Sequence, residues 1–253
     1  MQRRILLPLC TLVGSIAFAQ SKPSSEAIKQ ADSVPFVGCE ADGQMGPMKA
    51  PDGRSIHVVI SADAATQLAY YKSAQGSGVL APRGWHCFGV YGSNGSAIFV
   101  RPERLTAGEI LSTKWEGLTG LAIEVAESIG DTSGRFSVAR VIARVFPARR
   151  AFAEHVIAEG IESRDSFPFG PYPTDKLIYR SKMMVEYETP ANADGLGTES
   201  RLRKNGQPIS GVAILVGETP DLVHLTVRLS PEAAGLASAV IQQLEHDAKQ
   251  SDR

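Results

Sequence analysis

The sequence is poor in cysteine and in any excess of charge of one sign. Only three cysteines occur among 253 residues, and none form a C-x-x-C pair, which speaks against a thiol oxidoreductase. The 26 lysines and arginines are balanced by 27 aspartates and glutamates, leaving a formal net charge of −1. General nucleic-acid binding rests on a net basic surface, so that class is disfavoured. No long uninterrupted apolar run follows Gln20, so no transmembrane segment is expected in the mature chain. There is no G-x-S-x-G, H-E-x-x-H, P-loop or dinucleotide-binding glycine motif, and no internal repeat. Those absences count against common hydrolases, zinc proteases and nucleotide enzymes. Neither an unusual enzyme nor a binding protein is touched by them.

What is present begins with a leader. The first twenty residues read MQRRILLPLCTLVGSIAFAQ. Arg3 and Arg4 form a positive start, Ile5 to Ile16 is an apolar run too short to span a bilayer, and Ala17-Phe18-Ala19 is a small-x-small cleavage signal. This pattern predicts a secretory signal peptide over residues 1–19, cleaved after Ala19, and a periplasmic or secreted protein. Pro8 and Leu9 are poor residues ahead of a lipidated cysteine, so Cys10 is expected to leave with the leader. The mature chain then holds Cys39 and Cys87. In an oxidising compartment two cysteines pair, and closing a loop of this span is worth about 4 kcal/mol before strain. Gly38, Gly84 and Gly89 flank the two cysteines and permit close backbone approach. The competing reading makes Cys87 a nucleophile. Its neighbour His86 would point to the opposite strand face, leaving His57, His155, His224 or His246 as a distant base.

Along the chain, Gln20 to Ser33 reads as a flexible arm. Ile56 to Ile60 is a β-branched strand candidate. Ser61 is a plausible N-cap for a helix over Ala62 to Ala74, stopped at Gly76. His86 to Val90 and Ala97 to Val100 predict a hairpin turned by Asn94-Gly95. Leu121 to Ala126 is a further strand. Phe136, Ala139, Ile142 and Val145 recur at helical spacing, with a strand of period two as the alternative. Pro147 then breaks that piece and opens a second helix, closed at Gly160. The segment DSFPFGPYPTDK, Asp165 to Lys176, is too proline-rich for a helix or a central strand, and its aromatics favour an ordered loop. Lys182 to Thr189, Ile209 to Val216 and Leu222 to Leu229 read as strands, the last two as a hairpin. Ser230-Pro231-Glu232 predicts a helix start, with Leu236, Val240, Ile241 and Leu244 as its apolar stripe.

These elements predict an α+β fold: antiparallel sheet or sheets with packing helices, and one disulfide. The expected organisation is a signal peptide over 1–19, a flexible arm over 20–33, an N-terminal α+β region over 34–164 and a C-terminal strand-strand-strand-helix region over 165–253. The last two regions form either two units or one domain.

The candidate chemistry is sparse. His155 and Glu159 share a helix face, but a structural metal site wants four ligands, so neither a metal nor a cofactor is expected. Arg135, Arg140, Arg144, Arg149 and Arg150 cluster; they suit either an anionic ligand or a solvated face balanced by Glu154, Glu159 and Glu162. Glu124 and Glu127 flank one strand, and Glu186 and Glu188 share a face of another. Such pairs are commonly half-exposed strand positions, and acid–base work is the sharper reading. No catalytic residue is assigned. The candidate binding residues are Trp85, His86, Tyr91, Phe167, Phe169, Tyr172, Arg140 and Arg144.

The runs APRGWHCFGVYGSNGS, FPFGPYP, VEYETPA and GLGT resemble a set of uncharacterised exported bacterial proteins over most of the mature chain. The resemblance implies export and carries no activity or functional residue. The strand–strand–helix ending is also similar in element order to small α/β sandwiches of the photosystem-associated PsbP type, which include envelope binding and immunity proteins. The expectation is a binding or accessory role toward an envelope protein or cell-wall component. The alternatives are an envelope hydrolase or transferase using His86 or Glu186 and Glu188, and a secretion-linked immunity or stress protein.

Overall fold

The computed structural model describes residues 30–251. The expected leader, residues 1–19, and the cleavage point lie outside the described residues. The chain folds as two sheets with helices on their faces. Strands β1 (Gln30–Gly38), β3 (Ser55–Ile60), β4 (Leu68–Lys72) and β5 (Val79–Pro82) form a four-stranded sheet in the order β3-β1-β4-β5. β1 pairs antiparallel with β3 and parallel with β4.

The larger sheet has eight strands. They are β2 (Ala41–Gly43), β6 (His86–Gly92), β7 (Gly95–Arg101), β8 (Ala122–Ser128), β9 (Lys176–Ser181), β10 (Met184–Thr189), β11 (Ile209–Val216) and β12 (Asp221–Arg228). Their order is β2-β6-β7-β8-β12-β11-β10-β9, antiparallel throughout except for the parallel pair β2 and β6. The fold is therefore α+β with mixed, mostly antiparallel sheets, as the sequence predicts. The β8–β12 pairing joins segments on either side of position 165 in one sheet.

Both faces of the large sheet are covered, which explains its apolar strands. On one face Ile98, Ile123, Val125, Val212 and Leu225 meet the small sheet and Val240 and Leu244 of the C-terminal helix α5 (Ala237–Ser251). On the other, Phe99, Val185, Ala213 and Leu215 meet helices α3 (Arg135–Val145) and α4 (Arg150–Ala158), and Ile110 of the short helix α2 (Ala107–Ile110) joins the same core. The helix reading of Arg135 to Val145 prevails over the strand alternative because Val138, Val141, Ile142 and Val145 form one buried stripe. Pro147 opens a short 3-10 turn, Pro147–Arg149, before α4. Gly160 ends that helix at φ +68°, a conformation that glycine adopts without steric cost.

Cys39 and Cys87 form the expected disulfide, with Cα atoms 5.4 Å apart. The close-approach argument holds at Gly38 and Gly89 and fails at Gly84, where a Cβ would meet nothing within 4 Å. A Cβ at Gly38 would collide with Pro51 O, and one at Gly89 would press on Ser73 and Ala41. The expected hairpin is also formed, with seven register pairs from His86↔Arg101 to Gly92↔Gly95, but its turn is Ser93-Asn94 and not Asn94-Gly95, since Gly95 already belongs to β7.

Four further expectations need correction. The arm expected to reach Ser33 is already strand β1 from Gln30. The helix expected over Ala62 to Ala74 is α1, only Ala62–Gln67, and Leu68–Lys72 is strand β4. Its first four residues are buried, and Tyr71 donates to Pro82 O at 2.8 Å; sheet pairing outweighs a modest helix propensity. The strand expected over Lys182 to Thr189 is β10, which starts at Met184; Lys182 and Met183 are a turn that joins it to β9, Lys176–Ser181, a strand the sequence did not predict. The helix start at Ser230 is a turn, and α5 begins at Ala237 after a 3-10 turn over Ala234–Leu236.

Candidate functional site

The helix-covered face of the large sheet carries polar residues where its parity calls for apolar ones. Glu124 lies between Ile123 and Val125, and His224 between Val223 and Leu225. Strand register brings Glu124 opposite Thr226, Thr226 opposite Gly211, and Gly211 opposite Tyr187. A polar row thus crosses four strands. Glu124 is 2% exposed and His224 5%.

Tyr187 Oη lies 2.9 Å from His224 Nε2 and donates to Leu225 O at 2.9 Å. A phenol has one hydrogen and a carbonyl can only accept, so His224 Nε2 must supply the hydrogen of its own contact. The imidazole is therefore the Nε2–H tautomer, and Nδ1 carries a bare lone pair. Burial lowers the His224 pKa to about 4, so the ring is neutral near pH 7. Gly211 makes this arrangement possible: a Cβ there would collide with Leu225 O and the Tyr187 hydroxyl.

Glu124 is the second buried group. Its pKa is raised to about 7, chiefly by burial, against the opposing pull of the Arg201 backbone N–H, the Arg201 charge and the Ser200 hydroxyl. The Arg201 N–H donates to Glu124 Oε2 at 2.8 Å. Near neutrality the carboxyl is divided between its two protonation states.

Above this floor is a cavity of about 500 Å³, lined among others by Glu124, Ala126, His224, Phe99, Trp115, Ser137, Arg140, Glu199, Arg201 and Arg203. Two loops build its wall. Leu118 N donates to Arg201 O at 2.7 Å and Arg203 N to Leu118 O at 2.8 Å. Arg228, fully buried, holds both loops from beneath by donating to Leu118 O, Gly120 O and Arg203 O. Trp115 packs edge-on to Phe99, with ring centroids 5.4 Å apart, and the Arg201 guanidinium lies 5.7 Å above the Trp115 ring.

His224 Nδ1 has no partner among the described residues. Nor is it among the sealed unpartnered atoms, which are Arg144 Nε, Thr226 Oγ1, Arg228 Nε and Glu245 Oε1. The His224 ring lines the cavity.

The residues singled out from sequence fall in three places. Tyr91 and Arg140 line this cavity; Tyr91 donates to Gly46 O at 2.6 Å. Trp85 and His86 line a separate cleft of about 750 Å³ beside Cys87, with Glu40, Asp42, Lys49 and Arg104. Phe167, Phe169, Tyr172 and Arg144 belong to contacts between the proline-rich loop and the helices. Phe167 is 2% exposed and sits in the core. Arg144 lies 3.9 Å over the Tyr172 ring and Arg150 4.3 Å over Phe169, close enough for cation–π attraction. The aromatic loop and the arginine helices thus hold one another.

The arginine cluster is also balanced by acids: Arg135 pairs with Glu159, Arg140 with Glu162 and Arg150 with Glu154. His155 and Glu159 gain no further ligands, and no group of three or more metal-ligating side chains occurs among the described residues. Glu186 is held by Arg180 and faces Glu245 of α5, whereas Glu188 pairs with Lys176.

From sequence, Glu124 is named only in a strand pair with Glu127 and His224 only as a distant base for Cys87; Tyr187, Trp115 and Arg201 are not singled out, and the five are not joined as a site. The available signal was an ionisable residue at the inward position of two almost wholly apolar strands, AIEVA and LVHLTV. No protein family, curated protein or solved structure matches this chain at a significant level.

Proposed function

We propose that the chain is an exported envelope protein with a binding or accessory role, holding a small polar ligand in the cavity floored by Glu124 and His224. The observation that carries this reading is a buried His224 lining a cavity of ligand size, with its Nδ1 left without a hydrogen bond among the described residues. A neutral imidazole with a pKa of about 4 serves better as a hydrogen-bond acceptor than as a base at neutral pH. The Cys39–Cys87 disulfide fits an oxidising compartment, in line with the leader pattern of residues 1–19. The hydrolase or transferase reading draws less support: His86 lines a different cleft, and Glu186 and Glu188, which share a cavity of about 390 Å³, are each held in an ion pair, with Arg180 and Lys176.

A thermal-shift panel of monosaccharides, sugar acids, amino acids, short peptides and organic acids tests the proposal. At least one compound is expected to raise the melting temperature of the wild type and to lose that effect in Ala126→Leu, which fills the cavity. A panel without a hit, or hits that survive Ala126→Leu unchanged, would overturn it. Envelope material beginning at Gln20 is the expected outcome for export, checked by N-terminal mass spectrometry; retention of residues 1–19 would refute that part.

A further inference from the structure

The charged and titratable groups around the cavity can be sorted by what already occupies them. Arg140 is paired with Glu162 at 2.7 Å. Arg203 donates to Glu116 O. Glu199 accepts from the Tyr172 hydroxyl. Glu127 accepts from Ser77 N at 2.7 Å and from the Ser77 hydroxyl. Tyr91 donates to Gly46 O. Three groups are left. They are His224, with Nδ1 unpartnered; the Arg201 guanidinium, which has no carboxylate within ion-pair distance among the described residues; and the Glu124 carboxyl, which accepts from the Arg201 N–H.

Each unmatched group specifies a chemistry. A bare lone pair on a neutral imidazole demands a donor from the ligand, so a hydroxyl fits and a second acceptor does not. A guanidinium without a counter-ion fits a carboxylate in a forked geometry. Arg201 is near the floor as well as at the wall: its charge acts on Glu124, and its guanidinium lies over Trp115. Trp115 and Phe99 supply an apolar surface for carbon. The space of about 500 Å³ is within the range of small-molecule sites.

Resting on the binding role proposed above, we infer that the ligand is a small hydroxylated carboxylate. Its hydroxyl donates to His224 Nδ1, its carboxylate meets Arg201, and its carbon frame lies against Trp115 and Phe99. A sugar acid and an open-chain hydroxy acid share this chemistry.

Two matched pairs of probes separate the requirements and the two sources. D-Glucuronate and D-glucose differ in the carboxylate, and malate and succinate differ in the hydroxyl. Calorimetric titration of the full mature chain at pH 6 is the measurement. Within the pair that binds, glucuronate is expected to bind tenfold or more tightly than glucose, the size of one charge-assisted hydrogen bond, or malate about fivefold more tightly than succinate, the size of one neutral hydrogen bond. Binding of glucuronate identifies a ring ligand, and binding of malate an open chain. Arg201→Gln alters an exposed side chain and is expected to remove most of the advantage of glucuronate over glucose and to weaken malate and succinate alike; His224→Gln should remove most of the advantage of malate over succinate.

Glucose equal to glucuronate, succinate equal to malate, or an unchanged affinity in Arg201→Gln would overturn the inference. If none of the four binds while the broader panel yields a ligand lost in Ala126→Leu, the ligand class fails and the cavity reading stands. If the panel also yields nothing, both fail.

Discussion

Replacing Glu124 by glutamine should change how stability depends on pH far more than it changes the fold. Glu124 is 2% exposed, and its pKa rises from 4.5 to about 7 because burial disfavours the charged form. A carboxyl whose folded pKa is raised stabilises the native state while protonated. The contribution is fully present below about pH 4.5 and is lost as pH rises through about 7. One pKa unit corresponds to about 1.4 kcal/mol, so the full swing is about 3 kcal/mol, and about 2.5 kcal/mol of it falls between pH 5 and pH 8.

Glutamine keeps an acceptor for the Arg201 N–H and does not titrate. The stability of Glu124→Gln relative to wild type should therefore rise by about 2.5 kcal/mol from pH 5 to pH 8. At a urea m-value of about 2 kcal/mol/M that is a relative midpoint shift of about 1 M. Equilibrium urea unfolding of both proteins at several pH values measures it. The other shifted groups cancel in the difference. Glu245, raised to about 7 by burial and by Glu186, costs both proteins stability as pH rises. His224, lowered to about 4, costs both proteins stability as pH falls from 6.5 toward 4. A constant gap between the two proteins from pH 5 to pH 8 would refute the reasoning.

Three further outcomes are expected. Nitrogen NMR of the histidines should show His224 protonated at Nε2 and bare at Nδ1 from pH 8 to pH 5; protonation at Nδ1 instead would remove the acceptor on which the binding reading rests. Arg228→Met should destabilise the protein by about 2 kcal/mol, because three loop carbonyls lose their buried donor. Faster amide exchange at Leu118 and Arg203 should accompany it, and unchanged exchange there would show that other contacts hold the loops. Replacing both Cys39 and Cys87 by serine should cost about 4 kcal/mol in urea unfolding, the loop-closure value for this span; a loss well under 1 kcal/mol would mean that the reduced chain is restrained in other ways.

Much of the local structure was legible in the residues because its causes are local. Ser61 caps α1 by accepting from the Ala64 N–H at 3.3 Å. The glycine beside Asn94 marks the hairpin: the chain turns at Ser93 and Asn94, and Gly95, at φ +140°, opens the return strand. Pro147 separates two helices because it cannot continue the first. The disulfide was expected from the leader pattern and the small number of cysteines, and it forms. The balance of arginines by Glu154, Glu159 and Glu162 could be read from composition and spacing, and the ion pairs form.

Tertiary structure alone decided the rest. Leu68–Lys72 has no local reason to leave a helix; it is a strand because β1 and β5 offer it hydrogen-bonded partners on both sides. Strand β9 is largely exposed, so no apolar alternation marks it. Glu124, Tyr187 and His224 come together through the register of four strands from distant parts of the chain. Arg201 and Trp115 reach that row on two loops tied by Arg228. Periodicity reveals which way a side chain faces within its own strand. It carries no information about which strand lies beside it, and that neighbour determines whether a buried glutamate is an isolated oddity or the floor of a cavity.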